Sequence, residues 1–315
     1  MPTNFSVKKW QVVTNCSSIK RRRDTPVTLD HSRLNFDTFS NAWASKVKSS
    51  NTETTALETY GGRAFIDAVT AARKLETELH IVSAGLGLIE ESQKIPNYSL
   101  TISKGQGSIA TWLQGQNKSA ADWWSALNKQ LGKSNSLKKL IKSSEGVIFA
   151  VPSTYLEMIS EELEKIDEEL IAKIYIISST SGQQQLSDKL RNRALPYNER
   201  LEGSLDHRGT RNDFAQRALK HFVTEINFKN QDINDVKKEI TSYLNLYEKP
   251  VIPARTKLND EAILLLIEKN WHLYGGTRDK LHRYLRDEAL VACEQSRFGI
   301  LWNRVRATKK NESSI

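Results

Sequence analysis

Four short apolar runs constrain this chain more than any other feature. They are Trp10 to Thr14, Leu79 to Ser83, Gly146 to Val151 and Lys173 to Ser178. Each carries β-branched residues, and none alternates cleanly between apolar and polar. A strand wetted on one face alternates, whereas one covered on both faces does not. Between the runs lie stretches with apolar residues at helical spacing: Gly62 to Leu75, Ser119 to Gln130 and Leu156 to Leu170. This alternation predicts an α/β fold, with a mostly parallel four- to five-stranded sheet sandwiched by helices.

Every run ends in small polar residues: Asn15-Cys16-Ser17, Ser83-Ala84-Gly85, Pro152-Ser153-Thr154 and Ser178-Ser179-Thr180. Open α/β sheets bind ligands where the carboxyl ends of their strands converge. The segment from residue 79 to 102 is the richest of these. Its strand breaks at Gly85 and Gly87, then carries Glu90, Glu91 and the cluster Pro96-Asn97-Tyr98. By spacing alone, an ordinary βα turn with solvated glutamates is the simpler reading.

Charge points outward to a partner. The chain has 46 Lys and Arg against 37 Asp and Glu, a net charge of +9. Arg21, Arg22 and Arg23 follow the first run, residues 185 to 220 are rich in arginine, and residues 278 to 310 hold six arginines and three lysines. Such clustering suits a nucleic-acid backbone, although solvated lysines alone also make proteins basic. The two cysteines, Cys16 and Cys293, supply neither a zinc site nor a disulfide framework, so a cytoplasmic location is expected. No apolar run approaches the roughly 20 residues of a membrane helix. The histidines show no HExxH spacing, and GxSxG, Walker A and GxGxxG motifs are missing. No metal and no cofactor are expected.

Residues 1–247 read as the α/β catalytic domain. Within it, 24–55 and 183–213 look like polar loops, the second mobile over the pocket. Residues 248–258, with Pro250 and Pro253, read as a linker. Residues 259–310 form a separate helical unit, with helices over Glu261 to Lys269, Arg278 to Asp287 and Cys293 to Arg306. Tight turns between short helices predict a helix-turn-helix domain. Ile263, Leu266, Leu281, Leu285, Phe298, Leu301 and Trp302 would form its core. A helical cap with a solvated basic face is the alternative.

Glu90, Glu91, Asn15, Asn97 and Tyr98 make a set suited to cleaving an N-glycosidic bond. The transition state is oxocarbenium-like, so a carboxylate stabilises the sugar cation or orients water. An Asn reads a base edge and a Tyr stacks on its face. The same set equally binds a nucleotide without chemistry.

Three segments resemble a bacterial domain family of unknown function: Val12 to Ser17 with Lys20, Tyr60 to Phe65, and Ile81 to Ile89 continuing through Ile95 to Leu100. That family is related to the peroxide-stress YaaA proteins and, more remotely, to uracil-DNA-glycosylase-like α/β folds. Its signature, a strand with Ser-Ala-x-x-Gly-Leu-Ile and then Pro-x-Tyr-x-Leu, matches Ser83 to Ile89 and Pro96 to Leu100. The stretch Gly276 to Phe298 resembles the DNA-binding tail of relatives. The layout is similar to that of antiphage DNA glycosylases acting on glucosylated hydroxymethylcytosine. The resemblance implies excision of a modified pyrimidine from double-stranded phage DNA as antiviral defence, leaving an abasic site. The GQDPY and HPSPLS motifs of uracil glycosylases are missing, so no catalytic residue carries over from them.

Positions are therefore assigned by place in the expected pocket. Glu91, Asn15 and Asn97 are the expected catalytic residues. Cys16, Ser17, Ser83, Gly85, Gly87, Tyr98, Ser153 and Tyr155 are expected to line the base pocket, with Tyr98 stacking. Lys20, Arg21, Arg22, Arg23, Arg63, Arg208, Arg211, Arg278, Lys280, Arg283, Arg297 and Arg304 are expected to grip phosphates. The competing functions are a non-catalytic DNA-binding stress protein and a transferase modifying a nucleotide or base.

Overall fold

In the computed structural model, which describes residues 9–251 and 253–312, the four apolar runs form one sheet. Its strands are β1 (Trp10–Asn15), β2 (Leu79–Ser83), β3 (Gly87–Glu90), β4 (Gly146–Ala150) and β5 (Ile174–Ile177). Their spatial order is β3-β2-β1-β4-β5. β1 is central and pairs in parallel with β2 and β4, and β4 pairs in parallel with β5. Every residue of β2, β4 and β5 is buried, which explains their lack of alternation. The architecture is the expected one: a mostly parallel five-stranded sheet flanked by helices.

The long helices of this unit are α1 (Phe36–Lys48), α2 (Arg63–Lys74), α3 (Ala120–Leu131), α4 (Ser153–Glu164), α5 (Phe214–Glu225) and α6 (Ile233–Leu244). α2 and α5 pack on each other and on β1 and β4, while α1, α3 and α4 form a second group. Two expectations about loops fail here. The 24–55 segment contains α1, whose Phe39, Trp43 and Val47 are buried along one stripe and whose N-terminus is capped by Asn35. Residues 183–213 are no free flap either. Leu186, Leu190, Leu195, Tyr197 and Leu201 are buried, and Ala194 bridges Ile176 on β5.

The turn after β2 is also different from the expected strand-to-helix turn. Ala84, Gly85 and Leu86 connect β2 to β3, which returns antiparallel with Ser83 opposite Gly87 and His80 opposite Glu90. Two buried tryptophans hold this hairpin by its carbonyls. Trp43 Nε1 donates to Gly85 O and Trp123 Nε1 to Ala84 O, each at 2.8 Å. A Cβ at Gly85 would come within 2.7 Å of the Tyr98 ring. Gly85→Ala is therefore expected to destabilise the protein by about 1–3 kcal/mol through overpacking. Thermal unfolding measures this; an unchanged midpoint would contradict so tight a contact.

The chain divides into two compact units, one to Pro250 and one from Val251. The boundary falls within the expected linker, but the latter part of 248–258 belongs to the second unit, where Thr256 bridges Val291. That unit holds α7 (Asp260–Asn270), α8 (Arg278–Asp287) and α9 (Gln295–Glu312). Ile263, Ile267, Leu281, Leu285, Phe298, Leu301 and Val305 form its core. Leu266 and Trp302, also expected there, pack at its edge. Among the described residues, no helix is long and apolar enough to cross a membrane.

Candidate functional site

The parallel strands deliver Asn15, Ser83, Ala150 and Ile177 to one end of the sheet. Around them lies a cluster of neutral polar groups. Ser83 Oγ accepts the amides of Gly85 and Leu86 at 3.2 and 3.1 Å. Its own hydrogen therefore goes to Tyr98 OH at 2.7 Å, and Tyr98 in turn meets Tyr60 OH at 2.7 Å. Cys16 Sγ and Tyr155 OH share a hydrogen bond of 3.2 Å. Burial pushes the phenols of Tyr60, Tyr98 and Tyr155 well above their ordinary range, so all three stay protonated.

Lys20 reaches into the same cluster. Its ammonium lies 3.6 Å from the centroid of the Tyr98 ring and donates to the Tyr98 carbonyl. Burial lowers its pKa to about 8, with Cys16 acting in the opposite sense.

Gln216, on the first turn of α5, closes the cluster from the other side. It is buried and its Nε2 faces three acceptors: Thr14 Oγ1 at 3.0 Å, Asn15 Oδ1 at 2.8 Å and Ala150 O at 3.2 Å. Those acceptors fix the amide orientation, because a flipped oxygen would face oxygens. Gln216 Oε1 then has no hydrogen-bond partner, and neither does Ser178 Oγ beyond β5. Buried acceptors without donors are rare enough to require an explanation. Asn15 is half-buried, and Ser17 and Ser153 stand partly open beside it.

Several expected site residues fall elsewhere. β3 runs antiparallel, so it carries Glu90 and Glu91 to the amino end of the sheet, about 10 and about 13 Å along the strand from Ser83. There the Glu91 amide donates to Leu79 O and its carboxylate takes Arg73 Nη1 at 2.6 Å. Glu91 is thus a buried ion-pair partner, remote from Asn15. Asn97 turns from the cluster and donates to Asp24 O at 2.6 Å. Tyr98 is buried within the hydroxyl chain, so its ring does not lie open for stacking. Gly87 faces Asn128. No sequence signal singled out Gln216, which sits in an ordinary amphipathic helix.

Among the expected phosphate contacts, Arg22 is committed to Asp24 and Arg297 to Asp260 and Leu258 O. Arg21, Arg23, Arg63, Arg208 and Arg211 are exposed on the first unit. Arg278, Lys280, Arg283 and Arg304 are exposed on the second.

Further along α5, His221 Nδ1 meets Tyr197 OH at 2.6 Å while its Nε2 is unpartnered. Burial, then the neighbouring His207, lowers its pKa to about 3. The unfolded chain takes up this proton near pH 6.5, and the folded one does so only near pH 3. Stability supplied by the neutral ring is thus complete above pH 6.5 and lost as the pH falls below it. The expected slope is up to about 1.4 kcal/mol per pH unit. Urea titrations between pH 7 and pH 4 should show a flatter profile for His221→Gln; identical slopes would remove His221 from the acid response.

No family model, curated protein or solved structure matches this chain.

Proposed function

We propose that the protein is a DNA glycosylase that hydrolyses the N-glycosidic bond of a modified pyrimidine and leaves an abasic site. A glucosylated hydroxymethylpyrimidine of phage DNA, excised in the cytoplasm as antiviral defence, is the substrate to which the family resemblance leads. The single observation that carries the reading is the amide pair at the carboxyl ends of β1 and β4. Gln216 fixes Asn15 from below and keeps a free acceptor, Oε1, beside it. An extruded base offers hydrogen-bond donors on its edge, and the hydrolytic water needs an orienting group.

Among the described residues no carboxylate is bonded to Asn15, so electrostatic help comes from other sources. DNA phosphates lie close to the developing sugar cation, and the departing base carries negative charge that Lys20 can face. Arg21, Arg23, Arg63, Arg208 and Arg211 grip the backbone. The three-helix unit holds the duplex as a helix-turn-helix domain through Arg278, Lys280, Arg283 and Arg304.

The test is incubation with phage DNA bearing modified cytosines, followed by alkali. Strand breaks at modified positions are expected; intact strands with every modified substrate would overturn the reading. Charge reversal at Lys280, Arg283 and Arg304 should weaken DNA binding and flatten its salt dependence by roughly one unit of log–log slope per lost phosphate contact. An unaltered slope would make the second unit a structural cap.

The missing carboxylate and the buried tyrosines favour one competing reading, a DNA-binding protein without catalysis. Tight, salt-dependent binding with no abasic product would establish it.

A further inference from the structure

The second unit holds a cavity of about 580 Å³ between α8, the 253–257 segment and residues 291–297. Arg255, Lys257, Arg286 and Arg297 line it, together with His282 and Cys293. The backbone around it is pinned. The Thr256 amide donates to Leu290 O and the Ala292 amide to Thr256 O, each at 2.8 Å. His282 Nε2 bonds Cys293 O at 3.1 Å, and the imidazole stacks on Phe298.

The three guanidinium groups are all held by the same edge. Arg255 Nε donates to Arg286 O at 2.8 Å, and its Nη2 lies 3.5 Å from Asp287. Arg286 grips Asp287 through Nε and Nη2, at 2.7 and 2.8 Å. Arg297 grips Asp260 through Nε and Nη2, and Nη2 also donates to Leu258 O. Among the described residues, Nη1 of all three has no acceptor, and Lys257 has no ion-pair partner. Asp260 and Asp287 are not part of the lining, whose only carboxylate among the described residues is Glu294. The wall thus carries Arg255, Lys257, Arg286 and Arg297 against a single acid.

Guanidinium groups fixed along one edge, with donors unspent on the other, are prepared for phosphate oxygens. Little side-chain freedom remains to be lost when an anion binds. The volume falls within the range of small-ligand sites, about 300–1,000 Å³. Pro253, Val291 and Ala292 add an apolar patch suited to the face of a base or sugar. We propose that this cavity binds a nucleoside phosphate, either free or at the end of a DNA strand. A terminal phosphate offers roughly −1.5 to −2 charge and three acceptor oxygens. A diester inside a strand offers a single charge and is the weaker match. The site is separate from the amide pair of the first unit and does not depend on base excision.

Cys293 reports its occupancy, because it lines the cavity while Cys16 is buried. The full chain is alkylated with N-ethylmaleimide, and peptide masses identify the modified cysteine. Saturating deoxycytidine monophosphate, or a short duplex with terminal phosphates, should slow alkylation of Cys293 about fivefold or more. Deoxycytidine, and the same duplex with terminal hydroxyls, should not. Lys257 is exposed, so Lys257→Glu should fold normally and still lose most of the protection; Arg255→Ala should abolish it. Protection by the free nucleotide alone assigns a free ligand, and protection by the phosphorylated duplex alone assigns a strand end. A wild-type rate unchanged by either would overturn the proposal. So would equal protection by deoxycytidine, or full protection in the variant that combines Lys257→Glu with Arg255→Ala.

Discussion

Replacing Gln216 by Ala is expected to slow the proposed base excision by about 10²- to 10³-fold, the usual effect of losing one preorganised polar group. Gln216 both positions Asn15 and offers Oε1 to the base or water. Its amide nitrogen holds Asn15 Oδ1 at 2.8 Å while also tying down Thr14 and Ala150. Asn15→Ala should therefore cost nearly as much, and the double variant should be no slower than the slower single one. Groups acting as a unit show such non-additivity. Asn15 is half-buried, so a melting curve separates its catalytic loss from unfolding. Excision by Gln216→Ala within about threefold of wild type would detach the amide pair from the chemistry.

Arg217→Ala is expected to destabilise the first unit by about 3–5 kcal/mol, the range for removing one partner of a buried ion pair. Arg217 is 1% exposed, yet it is fully paired. Nε meets Asp213 at 2.7 Å, Nη2 meets Glu202 at 2.6 Å and Thr210 O at 2.7 Å, and Nη1 donates to His207 O. Truncation leaves the buried Asp213 without its counter-charge and frees the 202–213 segment that carries Arg208 and Arg211. Arg217→Lys should rescue only part of the loss, since one ammonium cannot reproduce the fork. Urea unfolding followed by circular dichroism measures both; a loss below about 1 kcal/mol would show that water and local rearrangement replace these contacts.

The sheet was legible because burial on both faces writes an unmistakable apolar run. α1 was hidden by its composition. Its Ser, Thr, Asn and Asp residues read as a loop, although Phe36, Phe39, Trp43 and Val47 recur at helical spacing. Glu91 was misplaced for a geometric reason: Gly85 and Gly87 fit a strand-to-helix turn and a hairpin equally well, and the choice sends the acids to opposite ends of the sheet. Asn15 was legible as the residue ending an apolar strand. Gln216 was not, because two of its three partners lie some 200 positions away and are joined to it only by the fold.

The strand order also bears on how the chain is made. Central β1 is synthesised first, yet its neighbours are Leu79–Ser83 and Gly146–Ala150. At translation speeds of about 5–20 residues per second, its second edge stays unpaired for on the order of ten seconds. Trp10 to Thr14 is then a bare, β-prone apolar segment, the kind that seeds intermolecular pairing. β2 and β3, by contrast, meet as a local hairpin as soon as both emerge. The nascent chain therefore carries a sticky strand until Gly146–Ala150 has emerged, and its yield in cells should depend on holdase chaperones and on growth temperature more than its native stability implies.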